Sequence, residues 1–290
     1  MRIGTRGSAL ALAQARTVVA ALAASGEEEV ELVPVVTTGD RDRAAGDKGR
    51  WVKELDEALL RGDVDAAVHS AKDVPAQLPD GIELVAAPAR ADPRDALCGV
   101  ASLDDLRAGA RVGTASLRRA AQLRALRADL EVAELRGNVD TRLLRLAEGR
   151  FDAIVLALAG LERLGRADAA TGVLDEVVPA AGQGVLALTA RMDDARTREA
   201  LRTVHDDATF TCLLAERALV RDLEADCETP VGAHAVLHDA DLSLRAFVGR
   251  KDGAAWVRDE LRGAAEEPEA LGAEVARRLR AAGADEVLGR

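Results

Sequence analysis

RIGTRGSALALAQARTVVAALAA, residues 2–24, sets the pattern for the chain. Arg2–Thr5 read as a short strand and Arg6-Gly-Ser as a turn. Leu10, Ala13, Val18 and Leu22 then fall on one stripe of a helix over Ala9–Ala24. Outward from this unit the same alternation recurs, with strands near Val30–Val36, Asp65–Val68 and Ile82–Ala86 and a helix near Val52–Leu60. A second series follows, with strands near Ala110–Gly113, Leu130–Glu134 and Asp152–Leu156 and helices near Leu117–Arg127 and Val139–Ala147. Short apolar runs separated by helices are the mark of βαβ units and a largely parallel sheet, so the expected class is α/β in two lobes.

The stretch 89–94, Ala-Arg-Ala-Asp-Pro-Arg, is the expected hinge between lobes, and the run Gly184–Ala190 behind Ala181-Gly-Gln-Gly is expected to cross back to the first. From about Asp207 the pattern changes. A helix over Ala208–Leu223 precedes runs at Val231–Leu237, Leu242–Val248 and Ala254–Leu261, spaced as an antiparallel meander, the last two joined through Asp252-Gly253. An amphipathic helix over Pro268–Ala282 would cover one face of that small antiparallel sheet, giving a third, α+β domain. The expected division is 1–89 with about 185–204, then 90–184, then 205–290, with an anion-binding cleft between the first two.

Composition narrows the function classes. The chain has 290 residues, 48% of them apolar but only 2% aromatic and none tyrosine, so its core is built from Ala, Leu and Val. Cys98, Cys212 and Cys227 are an odd set without C-x-x-C spacing, which argues against a disulfide framework or a zinc knuckle and for the cytoplasm. The first residues carry no apolar signal segment, and no apolar run approaches the ~18 residues of a membrane span. A net charge of −11 excludes general nucleic-acid affinity. Between Arg111 and Arg166, however, eleven arginines face seven acidic residues, which points to a local anion site.

Arginines recur where strands meet helices: Arg6, then Arg118-Arg119 in Gly113-Thr-Ala-Ser-Leu-Arg-Arg, then Arg136 and Arg142. Singly, each reads as a solvated surface group. As a set at the C-terminal ends of parallel strands they stand where open α/β sheets bind ligands, near helix N-termini that add partial positive charge. In Val68-His-Ser-Ala-Lys-Asp-Val-Pro, Lys72 and Asp73 are either a plain surface pair or an acid or base beside an anion anchor. A Ser-His-Asp triad from His69, Ser70 and Asp73 is rejected, because neighbours on a strand point to opposite faces. Cys98 and Cys212 sit in apolar runs as core residues do, whereas Cys227 sits among Asp226, Glu228 and Thr229 as an accessible thiol. His234 and His238 fall on a strand without ligand partners, so no metal is expected. TTGDRDRAAGDKGRWVKEL, residues 37–55, reads as a glycine-rich lid with one aromatic, Trp51, and lacks the order of a nucleotide P-loop.

Arg6-Gly-Ser-Ala-Leu-Ala, His69-Ser-Ala-Lys-Asp-Val-Pro, Gly113-Thr-Ala-Ser-Leu-Arg-Arg, Leu135-Arg-Gly-Asn, Ala159-Gly-Leu-Glu-Arg-Leu-Gly, Gly182-Gln-Gly and the Cys227 loop, in this order and spacing, resemble the porphobilinogen deaminase family over almost the whole chain. The resemblance implies two lobes like periplasmic-binding proteins plus a third domain. It implies a transferase of porphyrin (haem) biosynthesis that condenses four porphobilinogen molecules into hydroxymethylbilane. By the same resemblance a dipyrromethane cofactor is held by a thioether to Cys227 and bound by Arg118, Arg119, Lys72, Ser70 and Ser116. Asp73 is then the catalytic carboxylate, while Arg6, Ser8, Arg136, Arg142, Arg163, Trp51 and Gln183 meet substrate. The implied enzyme is a cytoplasmic monomer with no nucleic-acid or membrane partner. This chain departs from the family in a shorter lid between Asp40 and Lys48, in Ala225-Asp226 where Gly-Gly is common, and in Trp51 where phenylalanine is common. The rival reading is a non-catalytic receptor for a small polycarboxylate; a pyridoxal phosphate enzyme using Lys72 lacks a phosphate cup.

Overall fold

A computed structural model describes residues 1–27, 29–37, 49–226 and 229–290. The chain divides into two compact units, one of residues 1–91 and 185–213, the other of 92–184 and 214–290.

The first unit is built on β1 (Arg2–Arg6), β2 (Glu31–Val35), β3 (Ala66–Ser70), β4 (Ile82–Ala86) and a strand from much later in the chain, β10 (Leu186–Arg191). Their order is β2-β1-β3-β10-β4, with β1 parallel to β2 and β3 and only β10 antiparallel to its neighbours. The period-two alternation of a strand sorts the core into two layers. Ile3, Ala66, Val68 and Leu188 meet α1 (Ala9–Ala24), while Ala67 and Ile82 meet Leu55 and Leu59 of α2 (Gly49–Arg61). The buried stripe of α1 is Ala11, Ala15, Val18 and Leu22, rotated from the expected one so that Leu10 and Ala13 are only half-buried. In a helix apolar on nearly every side, the phase of the stripe is set by the sheet it packs on and not by composition.

The second unit repeats this plan. Its strands β5 (Asp95–Cys98), β6 (Arg111–Gly113), β7 (Glu131–Ala133), β8 (Ala153–Ala157) and β9 (Gly172–Leu174) lie in the order β7-β6-β8-β5-β9, with β5 the antiparallel member. The helices are α3 (Leu117–Leu126), α4 (Val139–Ala147) and the short α5 (Leu158–Arg163). β5, β9 and α5, and in the first unit α6 (Ala195–Arg202), were not expected from the sequence. β5 is buried at all four positions and β9 has three residues, so neither shows an alternation to read.

The helix α7 (Asp207–Asp222) leads to an antiparallel meander of β11 (Val231–His238), β12 (Asp241–Gly249) and β13 (Trp256–Ala264). The β12–β13 connection turns at Gly253, with φ 75° and its N–H bonded to Arg250 O at 2.9 Å. Two further helices, α8 (Pro268–Ala281) and α9 (Ala284–Leu288), complete the unit. The meander packs on α3 through Phe247, Ala121 and Val178, and Ala233 N–H bonds Pro179 O at 2.9 Å. Among the described residues no helix is long and apolar enough to cross a membrane.

Candidate active site

In the first unit, Arg6 and Ser70 are the last residues of neighbouring parallel strands. Ser8 caps α1, its Oγ accepting Ala11 N–H at 3.2 Å, which is how an N-cap satisfies an orphan donor of the first turn. After Ser70 the chain makes one 3₁₀ turn, Ala71–Asp73, held by Ala71 N–H to Val185 O at 3.0 Å and Val74 N–H to Ala71 O at 3.2 Å. This turn, rather than an open loop, presents Lys72 and Asp73 at the sheet edge, both half-buried. The Asp73 carboxylate makes no hydrogen bond or ion pair with a described residue.

His69 lies beneath this edge, buried, with Nε2 3.1 Å from Thr189 Oγ1. Burial pulls its pKa down to about 4; the nearby Asp73 carboxylate opposes that shift and the Arg6 guanidinium adds to it. Arg6, His69 and Asp73 therefore share one electrostatic neighbourhood, in which the imidazole is neutral at physiological pH.

The second unit places Arg118 and Arg119 in the first turn of α3, behind the N-cap Ser116, whose Oγ accepts Arg119 N–H at 3.4 Å. Both guanidiniums are buried against one carboxylate, that of Asp95 on β5. Arg119 donates to Asp95 Oδ1 from Nη2 at 2.7 Å and from Nε at 3.0 Å, and Arg118 Nη1 lies 2.8 Å from Asp95 Oδ2. Gln183 Nε2 donates to the same Oδ1 at 2.8 Å and to Pro93 O at 2.6 Å. Burial by itself would raise the Asp95 pKa, but the charges of Arg118 and Arg119 overcome it and hold the carboxyl well below the usual range. The cluster thus keeps one net positive charge in a buried setting. Arg118 Nε, also buried, meets no acceptor among the described residues.

Further cations adjoin it. Arg142 donates from Nε to Gly137 O at 2.8 Å, and burial, with Arg119 and Arg145 nearby, lowers its pKa to about 10. An anion among these groups relieves their mutual repulsion. Arg163 donates to Gly184 O at 2.6 Å and is lowered by burial. Arg136 is exposed, with Nε 2.6 Å from Glu134 Oε1. The structure thus gathers Arg118, Arg119, Gln183 and Arg142, and leaves Arg136 towards solvent. Asp95, which organises the cluster, was missed in the sequence because it directly follows the expected hinge, on a strand that was not expected; its place between Pro93 and an apolar run was the available signal.

Cys227 lies outside the described residues, as do Glu228 and the lid segment 38–48, and so does the side chain of Trp51, whose backbone is in α2. Up to Asp226 the cysteine loop is defined. Helix α7 ends with Glu224 in the left-handed region, φ 49°, its N–H bonded to Arg221 O at 2.9 Å and Ala225 N–H to Val220 O at 3.0 Å. That is a Schellman ending with glutamate where glycine is usual. Ala225 and Asp226 have no positive φ, so the loop does not need the family's glycines there. Asp226 and Thr229 bracket the cysteine reciprocally, with Asp226 N–H to Thr229 Oγ1 at 3.1 Å and Thr229 Oγ1 to Asp226 Oδ1 at 2.6 Å. The other thiols, Cys98 and Cys212, are buried and not joined in a disulfide, and burial pushes Cys98 up to about 11.

Two family models match. The one described as porphobilinogen deaminase, dipyromethane cofactor binding domain, covers residues 1–199, and the one described as porphobilinogen deaminase, C-terminal domain, covers 210–281. The porphobilinogen deaminase of Syntrophobacter fumaroxidans is 46% identical, covering 99% of this chain and 96% of its own. That of Deinococcus radiodurans is 45% identical, over 99% of this chain and 97% of its own. Among solved structures, the methionine-binding protein MetQ is 18% identical and matches 72% of this chain and 91% of its own with a TM-score of 0.46, too distant to bear on function.

Proposed function

The chain belongs to the porphobilinogen deaminase family, and we propose that it condenses four porphobilinogen molecules head to tail into hydroxymethylbilane, using a dipyrromethane held by a thioether to Cys227. The buried Arg118–Arg119–Asp95 cluster is the observation that carries this reading for the site. Both the cofactor and the substrate bear acetate and propionate groups, and a cationic cluster with a buried guanidinium N–H to spare, behind a capped helix N-terminus, suits carboxylates. Arg118, Arg119, Ser116, Lys72 and Ser70 would hold the dipyrromethane. When bound, that group supplies the nucleophilic pyrrole carbon from which the chain grows.

Arg6, Ser8, Arg136, Arg142, Arg163 and Gln183 would receive substrate carboxylates, and Trp51 would stack on a pyrrole ring. Loss of ammonia from porphobilinogen leaves an electrophilic methylene pyrrolenine with positive charge spread over its ring. The Asp73 carboxylate, uncommitted and held by a tight turn, would accept pyrrole N–H groups and stabilise that charge. It would also be a base for the proton lost by the nucleophilic pyrrole carbon once the new bond has formed. His69, neutral and bonded to Thr189, stays out of proton transfer and serves as a floor beneath Asp73. We also take the enzyme to be cytoplasmic and monomeric; that Cys98 and Cys212 form no disulfide supports a reducing compartment, and the monomer rests on the family resemblance alone.

Intact-mass analysis of the purified protein tests the assignment. It should show an adduct of two linked pyrroles, absent from Cys227→Ser. An unmodified chain that turns over porphobilinogen would overturn the cofactor reading.

A further inference from the structure

β5 runs antiparallel to β8, and Asp95 is in register with Ala157, the last residue of that strand. Asp95 is therefore at the C-terminal edge of the sheet, level with the start of α3, where ligands are met, and not in the floor of the fold. A residue needed only for stability has no reason to be a carboxylate there. Burying one costs several kcal/mol unless every lone pair is answered, and apolar replacements of buried ion clusters are frequently neutral or better. Here the answering groups are two guanidiniums and the amide of Gln183, all residues of the candidate site.

We propose that Asp95 is a positioning residue: it fixes the Arg118 and Arg119 side chains in one orientation and offsets one of their two charges, so that they meet an incoming carboxylate already ordered. This rests on the reading of those arginines as the dipyrromethane and substrate anchors. The two guanidiniums differ in what Asp95 leaves them. Every nitrogen of Arg119 has a partner: Nε and Nη2 donate to Oδ1, and Nη1 to Val155 O at 3.1 Å. Arg118 donates to Val178 O at 2.7 Å and retains Nε. The arrangement assigns Arg119 to holding the frame and Arg118 to offering the free donor. Gln183 joins the frame to the Gly182–Gly184 turn through its side chain, so displacement of Asp95 would also release that turn.

The test uses Asp95→Asn and the charge-balanced double variant Asp95→Asn/Arg118→Gln, with Val112→Ala, a core truncation in the same sheet, as the stability control. Three quantities are read: melting temperature, the fraction of chains carrying the two-pyrrole mass, and KM separately from kcat for porphobilinogen. Asp95→Asn is expected to lose most of the adduct or, where loaded, to raise KM about tenfold or more, since small displacements of positioning groups have effects of that order. Val112→Ala should lower the melting temperature while leaving loading and KM as they were. Should the single variant not fold, the double variant decides by comparison with Arg118→Gln alone: loading poorer in the folded double variant than in Arg118→Gln supports the role, and equal loading and KM in the two would overturn it. Full loading and unaltered KM in either folded Asp95 variant would overturn it. An unaltered chain that is neither loaded nor active would instead refute the function, and the proposal with it.

Discussion

Replacing Asp56 by asparagine should reveal a pH dependence that the unaltered protein conceals. Asp56, on α2, is 7% exposed and its pKa is raised by burial from 3.8 to about 6. His69, 6% exposed, is lowered from 6.5 to about 4. As the pH falls through about 6 the folded chain takes up a proton on Asp56 that the unfolded chain does not bind until about 3.8, so acidification over this window is stabilising. For His69 the unfolded chain takes up the proton first, below 6.5, and the folded chain only near 4. The stability His69 contributes is thus full above 6.5 and lost as the pH falls towards 4. At about 1.4 kcal/mol per pKa unit, each effect amounts to roughly 3 kcal/mol, and the two oppose each other. The unaltered chain should therefore change little on their account between about pH 6.5 and 4, while Asp56→Asn loses about 3 kcal/mol over that span relative to it. His69→Gln should gain a similar amount. Urea unfolding midpoints at several pH values, with the m-value constant, give these difference curves, in which the remaining carboxylates cancel. Flat difference curves for both variants would refute the reasoning.

Asp73→Asn should lower turnover by about a hundredfold or more while leaving the melting temperature unchanged, because the carboxylate is engaged by no described residue and its work is electrostatic; retained turnover would remove it from the catalytic role. Glu224→Gly should raise stability by about 1 kcal/mol, since glycine adopts the left-handed helix ending that costs glutamate steric strain. Thermal or urea denaturation reads this, and a loss of stability would show that the side chain at 224 contributes contacts that outweigh the strain.

The periodic parts of the fold were legible. The parallel strands of both sheets and the meander beyond residue 230 lie within a few residues of where apolar spacing put them. β5 and β9 were not, because β5 is buried at all four positions and β9 has only three residues, so neither carries an alternation. The phase of α1 was misread for a related reason: alanine on every side leaves the sheet to choose the buried stripe. For the site, strand-to-helix placement marked Arg6, Arg118 and Arg119 as a set, but which of them is exposed and which shares a carboxylate depended on Asp95, a residue twenty-three positions upstream of Arg118. Pairing across such a span leaves no local trace. The resemblance pointed to Asp73 and Cys227, where residue-level chemistry alone kept a surface pair and a spare thiol open.

The late strand β10 sets an order of events at the ribosome. It lies between β3 and β4, yet it is encoded about a hundred residues after β4. At about 5–20 residues per second, the first ninety residues wait roughly 5–20 s with both of those strand edges unpaired. The second sheet has its antiparallel strand first in sequence and is complete once Leu174 is made. The nascent chain is thus most open to edge pairing with other chains while its N-terminal half is already out, and a holdase acting there would guard the edges of β3 and β4 until β10 arrives.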